Sequence, residues 1–206
     1  TGTIGELSPA SCGLGYRTSI FRANDRYLVL ALTLALAPSR RAAPVDYPQL
    51  ARVLGVDAGA RPPLEAVRDA VVELRCGKGM ILSPADPDSI SVGSFFKNPV
   101  LDLAAFARLE SRVARRRPAT GPPPRFPFSA GGVKTSAAWL VERAGFGRGH
   151  RAGRVGISTK HSQALVNLGG ASSAELIALA RAIATEVQAA FGVELVPEPL
   201  LIGEQW

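Results

Sequence analysis

At 206 residues, 47% of them hydrophobic, the chain can fill one core or two small ones, and its composition excludes disorder along its whole length. No run is long and apolar enough to span a bilayer, and the opening TGTIGELSPAS lacks the basic-then-apolar pattern of a secretory leader. The net charge is +7, and only four of the 24 basic residues are lysines; an arginine-favouring coding bias and a phosphate-bearing partner, nucleic acid or a nucleotide-linked small molecule, both fit that balance.

The opening also lacks a methionine, so the chain is expected to begin inside a longer protein. Cys12 and Cys76 lie far apart with neither metal nor redox spacing, as expected of reduced thiols in a cytoplasmic protein. The first apolar element, DRYLVLALTLAL at residues 25–36, is leucine-rich and alternates only in part. It predicts a largely buried strand ending before Pro38. From Pro63 to Cys76, Leu64, Val67, Val71 and Leu74 recur at helical spacing, with Gly77 as a stop. Asp102 is placed to cap a second helix that carries Leu103, Phe106, Leu109 and Val113 on one face. That helix ends in Arg115, Arg116 and Arg117, where cations suit the negative end of the helix dipole. A solvated basic end is the ordinary reading of such a run, ahead of a nucleic-acid patch.

Further along, ATGPPPRFPFSAGG at 119–132 predicts a loop without regular structure. Ser136 opens a short helix over AAWLVERAG, and GRVGIS and QALVNLG read as a strand pair around the turn TKHS. Ser172, Ser173, Ala174 and Glu175 spell a capping box before a long amphipathic helix closed by Gly192. VELVPEPLLIG ends the pattern as a strand that Pro197 and Pro199 confine to an edge or a terminus. Helices and strands mix without strict alternation, so the expected fold class is α+β. CGLGYR and GFGRGHRAG both hold Gly-X-Gly. Neither stands between a strand and a helix start with an acidic residue about 20 positions on, so neither reads as a phosphate loop. His150 and His161 have no ligand partners in register, and no metal site is expected.

The segment GSFFKNP at 93–99 sets two core-type phenylalanines inside a polar frame of Ser94, Lys97 and Asn98. GYRTSIFR at 15–22 precedes it, and KTSAAWLVERAGF at 134–146 and PEPLLIG at 197–203 follow. In these four segments, and along nearly its whole length, the chain resembles the UDP-N-acetylenolpyruvoylglucosamine reductases. The stretch around Tyr47 and the helix after it is similar to the class with a mobile tyrosine loop. The resemblance implies the remainder of a flavin-binding α+β domain over 1–79, a smaller α+β substrate-binding domain over 80–192, and a C-terminal strand with a catalytic glutamate over 193–206. It implies FAD and NADPH as cofactors, UDP-N-acetylglucosamine enolpyruvate as substrate, and an oxidoreductase step toward UDP-N-acetylmuramate in peptidoglycan precursor synthesis.

By the same resemblance, Ser94 is the proton donor, while Arg17 and Glu198 flank the substrate carboxylate. Arg17 is also the candidate flavin contact. Tyr47, Lys78 and Asn98 match substrate contacts, with Tyr47 and Lys78 nearest the diphosphate; Gln163 and Lys134 match further ones. The chemistry is coherent with these types. Hydride from reduced flavin reaches one carbon of the enolpyruvyl ether and a proton the next, while charge builds on the carboxylate. That calls for a fixed donor there and an acid on the opposite face. A serine hydroxyl is a weak acid, but a carbanion-like carbon is basic enough to take its proton. Glu198 helps only if it presents a proton, since two bare carboxylates repel. Phe95 and Phe96 would anchor the segment so that Ser94 and Asn98 keep their positions. Taken singly, each residue has an ordinary structural reading; their joint appearance in the family's frames carries the assignment.

Two departures from the family pattern stand out. The flavin's glycine-rich segments lie upstream of the tyrosine–arginine motif in these reductases, and this chain begins a few residues before it. It is therefore expected to lack most of the FAD site, and alone neither to hold FAD tightly nor to turn over. Leu200 stands where the family pattern carries an arginine two positions after the glutamate. Two alternatives are a non-catalytic UDP-sugar-binding fragment and a basic nucleic-acid-binding domain built on Arg115–Arg117. The second lacks the aromatic interleaving such domains use. In the leading reading the missing N-terminal region is the protein partner, and neither nucleic acid nor membrane is expected.

Overall fold

A computed structural model describes residues 2–22, 24–116, 121–128 and 131–206. It divides into two units, Thr1–Ser39 and Arg40–Trp206.

In the first unit, Ser8 caps a 3-10 turn over Pro9–Cys12 that ends at Gly13 in the left-handed region. A tight turn follows, closed by Gly15 N–H donating to Thr18 O at 3.1 Å and Thr18 N–H to Gly15 O at 3.4 Å. The strand expected over 25–36 does not form: those residues carry no strand pairing. Leu28, Leu30, Leu32, Leu34 and Leu36 are exposed, Leu28 at 83%. The reason is that strand preference is mostly a preference for packing against neighbours, and the described part of this unit offers no neighbouring strand.

In the second unit, Tyr47 precedes α1 (Pro48–Leu54), which Gly55 closes in the left-handed region. α2 (Leu64–Gly77) covers the helix read from its apolar spacing and stops at Lys78. β1 (Ser91–Ser94) and β2 (Val100–Leu101) flank the phenylalanine pair. α3 (Leu103–Arg116) follows, with the Asp102 carboxylate accepting the Ala105 amide at 2.6 Å. Arg117, at the end of the basic run, lies outside the described residues.

The stretch expected to be a loop contributes a strand instead. β3 (Phe126–Pro127) pairs with β4 (Val133–Lys134), and β2 pairs on β4's other side. Proline at position 127 is compatible with β3 because this strand is an edge of its three-stranded sheet. Residues 119–120 and 129–130 of the expected loop lie outside the described ones.

α4 (Ala137–Arg143) starts as expected at Ser136, whose hydroxyl accepts the Trp139 amide. β5 (Arg151–Ala152), β6 (Val155–Ile157) and β7 (Ala164–Asn167) join β1 in an antiparallel sheet of order β1-β7-β6-β5. α5 (Ser173–Phe191) carries both halves of the Ser172–Glu175 capping box and ends at Gly192. The core lies where α3, α4 and α5 meet the larger sheet: Phe95, Phe106, Leu109, Leu140, Ile157, Leu165, Ile183 and Val187 are all nearly inaccessible. Antiparallel sheets with helices that do not alternate strictly with the strands make the fold α+β, as the sequence implied.

The expected C-terminal strand is a single bridge, Phe96 to Pro197. Lys97 N–H donates to Val196 O at 3.0 Å and Glu198 N–H to Phe95 O at 2.8 Å. Pro197 and Pro199 have no N–H to extend that ladder. Beyond it, Ser173 Oγ meets Glu204 Oε1 at 2.9 Å, Arg181 donates to Gln205 O, and Trp206 rests near Phe95 and Phe96.

Candidate active site

β1 sets the site. Ser91 faces Val166 and Ser94 faces Ala164, so β1 holds one residue more than β7 between these pairs. Gly93 lies in this bulge at φ +68°, the left-handed region that one class of bulge gives to glycine. The bulge re-aims Ser94 out of the regular alternation. Phe95 and Phe96 then plunge into the core at 1% and 2% exposure, which is the anchoring the sequence led us to expect. Phe95 N–H donates to Gln163 O at 2.9 Å while Phe95 O accepts from Glu198 N–H. The backbones of Ser94, Gln163 and Glu198 are thereby fixed side by side.

Half-buried Ser94 has its Oγ 3.1 Å from His161 Nε2. The other ring nitrogen, Nδ1, accepts the Gln163 amide proton at 3.2 Å. His161 sits in the turn TKHS, and that turn is clamped. Ser158, fully buried, accepts from the Lys160 and His161 amides. The buried Asp88 carboxylate accepts the Thr159 N–H at 3.1 Å and its hydroxyl as well, and Lys160 pairs with Asp86 at 2.7 Å.

Asp88 also borders the end of α2. A Cβ on Gly79 would lie 3.1 Å from Asp88 Cβ and 3.2 Å from its carbonyl oxygen, and Gly79 itself is at φ +65°. Only glycine fits such an approach without strain. It brings Lys78 near enough to His161 for its charge to act there: burial first, then the Lys78 charge, holds the imidazole below its ordinary pKa of 6.5. Lys78 Nζ donates to Gln49 Oε1 at 3.0 Å, and Tyr47 Oη reaches the same oxygen at 3.1 Å. Two donors thus converge on one acceptor.

Within Arg40–Trp206, Tyr47 and Lys78 therefore meet at Gln49, while Ser94 meets His161 and the Glu198 backbone joins Phe95; the Lys78 charge acting on His161 relates the two groups. Asn98 is directed to α4: its Oδ1 accepts the Ala137 amide at 3.0 Å. Lys134 lies on β4, opposite Val100 and Phe126. Gln163 is buried at 8%, and its side-chain amide, oriented to satisfy its neighbours, donates to Phe96 O at 2.7 Å and accepts from Ala138 N at 3.2 Å. Arg17 belongs to the first unit, where it occupies the third position of the Gly15–Thr18 turn at φ +55°. Among the described residues it is the one non-glycine in the left-handed region, a conformation that costs about 1–2 kcal/mol.

Sequence reasoning missed two participants, Gln49 and His161. His161 was weighed only as a metal ligand, and among the described residues no group of three potential ligands occurs. A cavity of ≈ 420 Å³ is lined by Val92, Phe95, Leu176, Pro199, Leu200 and Ile202 among others. It is mostly apolar, and Ser94, His161 and Lys78 are not among its lining residues. No helix among the described residues is long and apolar enough to cross a membrane.

Comparison with known proteins bears on this geometry. Residues 86–202 match the family model for the UDP-N-acetylenolpyruvoylglucosamine reductase C-terminal domain. Proteins of that name from Thermobifida fusca, Salinispora arenicola and Streptomyces coelicolor are 53%, 51% and 50% identical to it. The alignments cover 96%, 98% and 96% of this chain and 55%, 55% and 52% of those proteins. The chain spans about half the length of the curated relatives it matches.

Proposed function

Because the chain belongs to the UDP-N-acetylenolpyruvoylglucosamine reductase C-terminal domain family, we propose that it is the substrate-binding and catalytic portion of such an enzyme. In this reading residues 1–79 complete a flavin-binding domain, 80–192 bind substrate, and 193–206 deliver Glu198. The complete protein reduces UDP-N-acetylglucosamine enolpyruvate to UDP-N-acetylmuramate in the cytoplasm, for peptidoglycan synthesis. The observation that supports the reading is the pair Ser94–His161 beside the Glu198 backbone on Phe95, with Lys78, whose charge acts on His161, meeting Tyr47 at Gln49.

Lys78 and Tyr47 bind the diphosphate: two donors already meeting at one oxygen suit a phosphate oxygen, and a lysine is a compact cation for it. Asn98 and Lys134 complete the nucleotide-sugar contacts. Gln163, with its amide engaged inside the fold, serves the site by fixing the Phe95–Phe96 backbone. Ser94 gives up its hydroxyl proton to the substrate carbon. Arg17 and Glu198 stabilise the charge on the substrate carboxylate, Glu198 as a proton-bearing donor.

When bound, FAD recharged by NADPH supplies the hydride. The described residues do not form its pyrophosphate cradle: both Gly-X-Gly clusters lie in turns, and the Cβ of a residue at Gly15 would meet Thr18 Cγ2 at 2.9 Å, so this glycine serves its own turn. Arg17 is the flavin contact we assign to this chain. The test uses the complete reductase. Ser94→Ala should leave flavin reduction by NADPH running and slow flavin reoxidation by substrate about 10²-fold or more, the scale of a lost general acid. A defect confined to flavin reduction would refute the role.

A further inference from the structure

Ser94 and His161 are 67 residues apart, yet they share a 3.1 Å hydrogen bond. The direction of that bond follows from the ring's other side. Gln163 N–H donates to Nδ1, so Nδ1 holds its lone pair and, in the neutral ring, the proton is on Nε2. The opposite tautomer would set Nδ1–H against the Gln163 N–H. A doubly protonated ring would meet the same clash and the Lys78 charge as well. His161 therefore donates to Ser94 Oγ, and the serine must send its own proton elsewhere.

We propose that His161 is the positioning residue of Ser94: its Nε2–H occupies one lone pair of Oγ, directs the hydroxyl proton toward the substrate carbon, and stabilises the oxygen once that proton has gone. This rests on the reading of Ser94 as proton donor. In the step, the Oγ–H bond breaks and a carbon–hydrogen bond forms at the carbon beside the one that receives hydride. The electron pair of the broken bond stays on Oγ as an alkoxide, which accepts the Nε2–H bond until water reprotonates it. The ring stays neutral throughout. Its turn is built to be rigid: the Ser158 hydroxyl and the Asp88 carboxylate hold residues 159–161 from below, and Lys160 is tied to Asp86. A donor fixed in advance is what stabilisation of a developing oxyanion requires.

The experiment uses the complete reductase, its flavin reduced by NADPH and then mixed with UDP-N-acetylglucosamine enolpyruvate in a stopped-flow instrument. His161→Ala should slow reoxidation about 10- to 100-fold, toward the scale of a lost oxyanion donor, with substrate affinity close to the parent's. His161→Gln places an N–H at the Nε2 position and should recover most of the rate, whereas His161→Asn is too short and should not. Ser94→Ala/His161→Ala should be no slower than Ser94→Ala, because the histidine acts through the serine. A parental rate in His161→Ala, no recovery in His161→Gln, or multiplying defects in the double variant would each overturn the inference. Ser94→Ala alone separates the two levels. If that variant reoxidises at the parental rate, the reading of Ser94 fails; if it is slow while His161→Ala is not, only the role of the histidine fails.

Discussion

His161 is half-buried, and its imidazole is held below the ordinary 6.5, first by burial and then by the Lys78 charge. The charged groups that act on it or hold its turn are Lys78 at the end of α2, the Lys160–Asp86 pair, and Asp88, whose carboxylate is engaged by Thr159. In the folded protein the neutral ring is favoured, while below about 6.5 the unfolded chain binds the proton readily. The unfolded state thus holds more protons between the lowered folded value and 6.5. Stability from this group is complete above that window and is lost as pH falls through it. The parent's unfolding free energy from urea titrations should rise as pH increases toward about 6.5 and level off above it, by at most about 1.4 kcal/mol per pH unit from this ring. His161→Gln should flatten that rise. An unchanged slope in the variant would assign the pH dependence to other groups.

At the scale of elements, the bulge in β1 decides where the serine points. An Ala Cβ at Gly93 would meet no atom within 4 Å, so any cost of Gly93→Ala comes from the backbone at φ +68° rather than from a clash. The expected loss is about 1–2 kcal/mol by thermal or denaturant unfolding. If the backbone relaxes instead to a regular strand, Ser94 turns away from His161, and reoxidation by substrate should slow together with the stability loss. Parental stability and rate in this variant would mean that the bulge is not needed. The helices were legible in the sequence because their signals are local: Asp102, Ser136 and the Ser172–Glu175 box act within a few residues of themselves, and apolar spacing needs no partner. Strands depend on what lies beside them. Residues 25–36 have strand composition without a pairing neighbour, 126–127 pair despite a proline-rich surrounding, and the two C-terminal prolines reduce a strand to one bridge. The candidate site residues were read from residue types in familiar frames. The bond between Ser94 and His161, and the Gln49 oxygen shared by Tyr47 and Lys78, arise only from topology, and no local pattern marks them.

Over the whole chain, apolar surface is unevenly distributed. The second unit buries its large side chains in a continuous core, whereas the first leaves Leu28, Leu30, Leu32, Leu34 and Leu36 exposed. A run of exposed leucines of that kind is adhesive. The 206-residue chain should bind a hydrophobic dye and associate with rising concentration, and Leu30→Lys/Leu32→Lys should reduce both, as measured by dye fluorescence and sedimentation velocity. Equal dye binding by parent and variant would locate the adhesive surface elsewhere.

Trp206, near the C-terminus, has its ring 6.0 Å from Phe95 and 6.1 Å from Phe96. The indole, itself exposed, therefore rests against the same pair that follows Ser94 in the chain. Any molecule that pulls on the Gly93–Asn98 backbone shifts the phenylalanines and alters quenching of that ring. Trp139, packed near Phe191, is the chain's other emitter, and replacing it with phenylalanine leaves Trp206 as a lone optical gauge of occupancy that requires neither turnover nor a coloured cofactor.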